Sequence, residues 1–226
     1  MKVPLCAIMI ALLLLSVAPP VLAGEGAQFQ AGIRMWLNNW RQDRPDTPGI
    51  SSDTTMLMGP VIEARLGQQG FLEASYLFST ADYRFSDALT TANVSRQDLD
   101  VAIGYRVVPE FGLFAGYRYA IFDEELTGIK DTLSGPVMGV ALRLPMDPWL
   151  TFYGKVFYLF TRFEQDDAGI LFREDSPGWG LEAGVKYEFT KTFLGSVGYR
   201  HEANKGKESD VTDAFGGVTF SAMVLF

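Results

Sequence analysis

Apolar and polar residues alternate through most of the chain after residue 24, and this pattern restricts the fold more than any other feature. In residues 98–107, Leu99 and Val101 share one face, whereas Asp98 and Asp100 lie on the other. A period of two residues is typical of β-strands and differs from the helical period of 3.6. Ten segments show it: 29–37, 56–66, 72–78, 98–107, 113–121, 138–144, 150–160, 179–189, 196–200 and 217–226. The sequence therefore predicts an all-β protein with ten strands. Eight strands are the alternative, because 196–200 contains few apolar residues.

The lengths of the connections separate two architectures that both have one apolar face, a soluble sandwich and a membrane barrel. Short and long connections alternate along the chain. The short ones are 67–70, 109–110, 145–149 and 190–192, and the long ones are 41–54, 81–94, 123–134, 164–175 and 202–213. Transmembrane barrels have short turns at one end and longer external loops at the other, whereas a sandwich needs no such asymmetry. We therefore expect an antiparallel up-and-down transmembrane β-barrel.

Charge and aromatic placement favour the same architecture. The formal net charge is −8, which argues against a nucleic-acid partner, and the long connections are rich in acids. On the apolar faces the only charged residue is Arg162, near the end of its segment, where it can extend to the interface. Aromatic residues on those faces gather near both strand ends, as expected for two membrane interfaces.

The first 23 residues have the composition of an export signal. Lys2 is followed by an uncharged apolar run over 5–17, and Ala23 occupies a typical cleavage position. We expect a signal peptide over 1–23 that is cleaved, and a barrel domain over 24–226. The single cysteine, Cys6, lies within the predicted signal peptide, so the mature chain would contain no disulfide.

The last segment has alternating apolar residues that end in a C-terminal phenylalanine. These residues are Val218, Phe220, Ala222, Val224 and Phe226. The segment resembles the terminal assembly signal of Gram-negative outer-membrane β-barrels, which the barrel-assembly machinery reads. The resemblance implies a location in the outer membrane, in contact with its lipids and lipopolysaccharide. The acidic loops could also bind divalent cations there. The sequence predicts no cofactor or structural metal site and indicates no oligomeric state.

Charged residues on the polar strand faces would fill the barrel interior. This predicted lumen charge network comprises Arg34, Glu63, Arg65, Glu73, Asp98, Asp100, Arg106, Arg118, Arg143, Lys155, Glu182, Lys186, Glu188 and Arg200. Since acids and bases nearly balance, we expect ion pairs between strands. A ten-strand barrel is close in size to the eight-strand barrels that side chains fill completely. The leading functional expectation is therefore a structural barrel or a narrow pore for small solutes, rather than an enzyme.

Two other function classes stay open. Surface adhesion or recognition would use the external loops, because loops on a rigid scaffold often carry binding residues. An enzyme would need a catalytic constellation. Asp98 and Asp100 resemble the paired aspartates of the ten-stranded omptin proteases, but the single histidine, His201, has outward parity. The stretch from His201 to Asn204 resembles the His-x-Ser-Asn motif of outer-membrane lipid A deacylases, although Ala203 lacks the hydroxyl that acyl transfer requires.

Overall fold

The computed structural model describes residues 28–45, 47–86, 91–125, 127–167 and 169–226, and these residues form fourteen β-strands. The strands are β1 (Gln28–Arg44), β2 (Thr47–Ser51), β3 (Thr55–Leu66), β4 (Gly70–Ser79), β5 (Tyr83–Ser86), β6 (Thr91–Val108), β7 (Phe111–Glu124), β8 (Lys130–Pro145), β9 (Leu150–Leu159), β10 (Arg162–Asp167), β11 (Ile170–Asp175), β12 (Gly178–Glu188), β13 (Phe193–Lys205) and β14 (Thr212–Leu225). Within the described ranges, no helix is long and apolar enough to cross a membrane. The predicted signal peptide lies outside the described residues, so its cleavage stays a prediction.

Ten of these strands close into an antiparallel ring. The order around the ring is β1, β3, β4, β6, β7, β8, β9, β12, β13 and β14, and β14 pairs again with β1. The closing pair is in continuous register from Gln30 opposite Leu225 to Asp43 opposite Thr212. A closed ring leaves no unpaired barrel edge. The predicted all-β, ten-strand antiparallel barrel is confirmed.

The two ends of the barrel differ. At the terminal end, residues 28 and 226 lie beside short turns, and the backbone N–H of Phe226 donates to the carbonyl of Phe29. The turn at 67–69 begins with Gly67 at a φ of 65°, a left-handed conformation that glycine adopts without steric cost. The opposite end, called the loop end below, carries all the longer connections.

The predicted long loops were wrong in extent, because much of each is extended strand. β2 pairs with β1, β5 pairs with β6, and the β10–β11 hairpin pairs with β8. Here one side of the strand no longer needs to be apolar, so the alternation that marks a lipid-facing strand fades. The barrel wall therefore continues past the lipid-facing belt as a rigid extension.

The side chains of the alternating residues point outward and inward as the sequence predicts. Large apolar side chains on the outer face are exposed, including Ile103, Leu113, Met138 and Val156. Between them, polar and small residues face the interior. An exposed apolar belt of this size is unusual for a soluble monomer and is typical of a surface that contacts lipid.

Candidate functional site

The barrel interior contains two ion-pair clusters at different heights. The one nearer the loop end, called the upper cluster, consists of Arg96, Asp98, Asp100, Arg118, Arg200 and Glu202. β6, β7 and β13 supply these residues, and each side chain points inward because it shares the parity of the polar strand face. The cluster has three cations and three carboxylates, so its formal charge is balanced.

Asp100 and Glu202 connect the arginines of the upper cluster. Arg118 donates from Nε to Oδ1 of Asp100 at 2.7 Å and from Nη2 to Oδ2 at 2.8 Å. Arg200 Nη2 also donates to Oδ2 of Asp100, at 3.0 Å. Glu202 contacts the same two arginines: it lies 2.6 Å from Arg118 Nη1 and accepts a hydrogen bond from Arg200 Nε at 2.7 Å. Bidentate contacts of this kind hold planar groups in one geometry.

The lower cluster lies nearer the terminal end and consists of Arg34, Glu63, Glu73, Lys155 and Lys186. Arg34 Nη1 donates to Glu73 Oε1 at 3.0 Å, and Lys186 Nζ donates to Glu63 Oε2 at 2.6 Å. Lys155 also donates to Glu73. The remaining predicted carboxylate of this region, Glu182, is buried and lies opposite Lys155 and Arg200 in the strand register. These contacts cross the lumen between strands far apart in the sequence.

Four predicted network residues do not join these clusters. Arg65 donates to Gln28 Oε1 at 3.1 Å, and the guanidinium of Arg106 lies 5.7 Å from the ring centroid of Phe71. Neither they nor Arg143 and Glu188 form an ion pair with another described residue. All four lie near the terminal end, where they line a cavity of about 120 Å³.

The predicted network lacked Arg96 and Glu202, which the structure places at the centre of the upper cluster. Glu202 was assigned to the loop 202–213, and this was wrong because β13 continues to Lys205. Its side chain is fully buried. Strand parity alone could have identified both residues, since 96 has the parity of Asp98 and 202 that of Arg200.

Apolar side chains also fill the interior above the upper cluster. We call this group the aromatic plate, and it consists of Trp36, Trp40, Tyr83, Phe85, Phe122 and Phe215. Phe122 and Phe215 stack with ring centroids 5.9 Å apart, and Trp40 lies 5.2 Å from Phe215. Arg96 joins the plate to the upper cluster, because its Cζ lies 3.9 Å from the Phe215 centroid while its Nε donates to Asp98. The expectation of a polar lumen did not include this layer.

A larger cavity of about 410 Å³ lies beyond the aromatic plate, toward the loop end. Trp40, Phe122 and Phe215 of the plate form part of its wall, and Asp131 and Asp213 also line it. Burial, together with the neighbouring carboxylates Asp213 and Glu124, raises the pKa of Asp131 to about 6, against the lowering effect of a hydrogen bond with Gln165. The plate therefore separates this loop-end cavity from the charged lumen.

The residues considered for catalysis are not assembled into one site. Asp98 pairs with Arg96, and Asp100 pairs with two arginines inside the lumen. His201 lies on the other face of the wall, where its ring is 5.2 Å from that of Trp179. The described residues also contain no group of three or more His, Cys, Asp or Glu that could hold a metal ion.

The residues of the predicted assembly signal lie on β14, the strand that closes the ring, except Phe226, which directly follows it. Val218, Phe220 and Val224 point outward and are exposed. Their register partners on β1 are Leu37, Met35 and Ala31. This places the segment at the seam between the first and last strands, while its reading by assembly machinery stays a prediction.

Known proteins share this architecture. Residues 130–226 match the family model described as outer membrane protein beta-barrel domain. The chain is similar to the outer membrane protease OmpT from Escherichia coli, with a TM-score of 0.62 and 9% identity over 90% of this chain and 97% of that chain. It is also similar to the translocator domain of the autotransporter NalP from Neisseria meningitidis, with a TM-score of 0.52 and 12% identity over 96% and 95% of the two chains. No curated protein matches the sequence.

At these identities the similarity concerns the fold, so no catalytic or transport residue is transferred from either structure. The fold and the family match agree with the apolar outer belt and the asymmetric ends. Together they show that the chain has the fold of outer-membrane β-barrels and that its C-terminal part, residues 130–226, matches the outer membrane protein beta-barrel domain model.

Proposed function

We propose that this protein is a sealed, non-conducting outer-membrane barrel. The observation that carries the proposal is the layer of buried, mutually contacting side chains that the aromatic plate and the upper cluster form inside the barrel. Trp36 and Glu202 have no exposed surface, and Arg96 and Phe215 are almost as deeply buried. Of the two leading expectations from the sequence, the structural barrel is favoured over the narrow pore.

The chemistry of this layer opposes spontaneous opening. A solute path would require the upper cluster to separate, leaving charges away from bulk water without partners, which is energetically costly. The aromatic plate adds apolar packing directly above those charges, through contacts such as that of Trp36 with Arg96. The barrel strands that carry the layer are paired on both sides, and β5, which carries Tyr83 and Phe85, is paired with β6 and bridged to Ser52.

Single-channel recording in planar bilayers tests the proposal. The refolded wild type should insert without discrete conductance steps, and its folded state can be checked by heat-modifiable gel migration. The double variant Trp36→Ala with Phe215→Ala removes two rings from the layer and should produce steps. Trp179→Ala is the matched control, because it removes an outward ring and should stay silent. Regular steps in the wild type, with the same size in all three proteins, would show that the layer does not seal the lumen.

Surface recognition is the second candidate, and the loop-end extension favours it. The hairpin of β10 and β11 is paired to β8 and tied to the segment before β14, since Glu174 accepts hydrogen bonds from the backbone N–H groups of Glu208 and Ser209 at 2.8 and 3.0 Å. A pre-ordered surface loses less entropy on binding than flexible loops. Deleting 163–174 should therefore abolish binding of any external partner while the ten-strand barrel still folds. Retained binding would locate recognition elsewhere.

A further inference from the structure

The loop-end cavity has a composition that specifies a ligand class. Its apolar wall is aromatic, formed by Trp40, Phe85, Phe122 and Phe215 with Phe172 on the β10–β11 hairpin. Its volume of about 410 Å³ is within the range typical of small-molecule sites. Aromatic faces bind apolar bodies and also attract organic cations through the ring quadrupole. The wall therefore suits a small organic molecule better than a hydrated inorganic ion.

The charged residues that line the cavity are mostly acidic. Glu124, Asp131, Glu174 and Asp213 come from four different strands, and the only described basic residue among the lining residues is Arg44. Three of the acids are already engaged. Glu124 Oε2 accepts from the Thr127 hydroxyl at 2.9 Å. Glu174 accepts three hydrogen bonds from Glu208 and Ser209, and Asp213 Oδ1 accepts from Trp40 Nε1 at 2.7 Å. Asp131 is the acid with capacity left for a ligand.

Two buried acceptors at this cavity lack partners. Asp131 Oδ1 and Asn204 Oδ1 form no hydrogen bond with any described residue. Asn204 is 3% exposed and lines the cavity. Buried acceptors normally have a donor, so these two oxygens identify positions where a ligand donor is missing. Because Asn204 is uncharged, its open acceptor is an observation separate from the acidic charge of the cavity.

We propose that the loop-end cavity binds a small organic cation, an ammonium or guanidinium group attached to an apolar or aromatic body. The apolar part would pack against the aromatic wall, and the cationic group would donate to Asp131, with Asn204 as a further acceptor. The inference does not depend on whether the lumen conducts, because every residue that it uses lines the loop-end cavity. It goes beyond surface recognition by naming the site and the ligand chemistry.

Calorimetric titration of the full refolded barrel in detergent tests the charge requirement. Benzyltrimethylammonium tests the aromatic wall and the positive charge, and benzylammonium adds N–H donors for the two acceptors. Neopentylbenzene is the neutral isostere of the first probe, and benzenesulfonate is an anionic counterpart. We expect saturable binding of both cations, at least tenfold weaker binding of the neutral isostere, and none of the anion. No saturable binding of either cation up to about 10 mM, or equal binding of the neutral isostere, would overturn the proposal.

Asp131→Asn tests the assigned acceptor. This variant should weaken benzylammonium binding at least tenfold at pH 8. The matched control Asp123→Asn removes the same charge from an exposed outward position on the neighbouring strand and should bind like the wild type. Heat-modifiable gel migration verifies that both variants fold. Equal weakening in both variants would mean that general charge, and not Asp131, attracts the ligand.

The pH dependence gives a second readout. The charged groups that line the cavity with Asp131 are Glu124 on β7, Asp213 on β14, Arg44 on β1 and Glu174 on β11, and the first two raise its pKa. Because the pKa of Asp131 is about 6, about one-tenth of it is ionised at pH 5. Benzylammonium affinity should therefore fall about tenfold from pH 8 to pH 5 in the wild type and much less in Asp131→Asn. An identical pH profile in both proteins would exclude Asp131 as the titrating acceptor.

Discussion

Replacing Glu202 by glutamine tests how strongly the upper cluster holds the barrel together. Glu202 lies 2.6 Å from Arg118, 2.5 Å from Arg200 and 3.7 Å from Arg96, and it is fully buried. The substitution keeps the side-chain shape but removes one of three carboxylates, so three arginines face two aspartates. One buried positive charge is then uncompensated. Removing one partner of a buried ion pair costs about 3–5 kcal/mol, and we expect a loss of that size in the free energy of unfolding.

Equilibrium unfolding in urea, with the barrel refolded into lipid vesicles and followed by tryptophan fluorescence, measures this loss. Asp175→Asn is the matched control. It also removes a carboxylate with two cationic neighbours, Arg162 at 3.7 Å and Lys207 at 3.2 Å, but all three side chains are exposed. Exposed ion pairs contribute about 0–1 kcal/mol, so the control should stay within that range. If Glu202→Gln were as mild as the control, the burial argument would be refuted.

A double variant separates charge imbalance from lost packing. Arg118→Gln combined with Glu202→Gln restores the charge balance, because two arginines then face two aspartates. Asp100 keeps its contact with Arg200 at 3.0 Å. The double variant should therefore be more stable than the sum of the two single losses predicts, with a coupling energy of about 1–3 kcal/mol. Additive losses would mean that each side chain contributes only through its own packing.

Two further predictions concern other parts of the wall. Gly217→Ala should lower the free energy of unfolding by about 1–3 kcal/mol in the same assay, because an added Cβ would lie 1.8 Å from the backbone carbonyl oxygen of Leu37. In the control Gly154→Ala, the added Cβ meets no atom closer than 3.8 Å, so this substitution should be tolerated. A comparable cost at both glycines would contradict this. At the loop end, burial alone would raise the pKa of Glu174, but hydrogen bonds from its neighbouring loop outweigh it and hold the pKa below its usual range. Its contribution to docking that loop is thus present above the ordinary glutamate pKa and is lost as the pH falls through the lowered pKa of the folded state. Hydrogen exchange of 206–211 should therefore increase at acid pH in the wild type relative to Glu174→Gln measured at the same pH. Equal acid sensitivity in both proteins would exclude Glu174 as the cause.

The sequence determined which face of each barrel strand meets lipid. Alternation is a local property, since successive side chains on a strand point to opposite sides whatever the strand pairs with. The exposure of Ile103 and Leu113 and the inward position of Arg118 follow from that rule alone. Even the ion pair between Arg118 and Asp100 could be predicted from the sequence, because β6 and β7 are consecutive strands that form a hairpin.

The positions at which the strands end could not be predicted from the sequence in the same way. Beyond the bilayer neither face must be apolar, so the chain from Arg41 to Ser51 reads as a polar loop although it forms paired strands. Because of this error, Glu202 was counted as a loop residue. The strand segments that form the walls of the loop-end cavity were not recognised as strands for the same reason. The aromatic plate was missed for a related reason, because an inward Trp36 or Phe122 conflicts with the expectation of a polar interior.

Contacts across the lumen were decided only by the tertiary structure. Lys186 and Glu63 are 123 residues apart in the sequence and meet because ring closure and strand stagger bring them to the same height. Parity states that both point inward, but not at which level or toward which partner. Height depends on the register of every intervening strand pair, and register is a property of the closed sheet rather than of any one strand. The charged and aromatic layers, and the cavity above them, therefore exist only once all ten strands are in place.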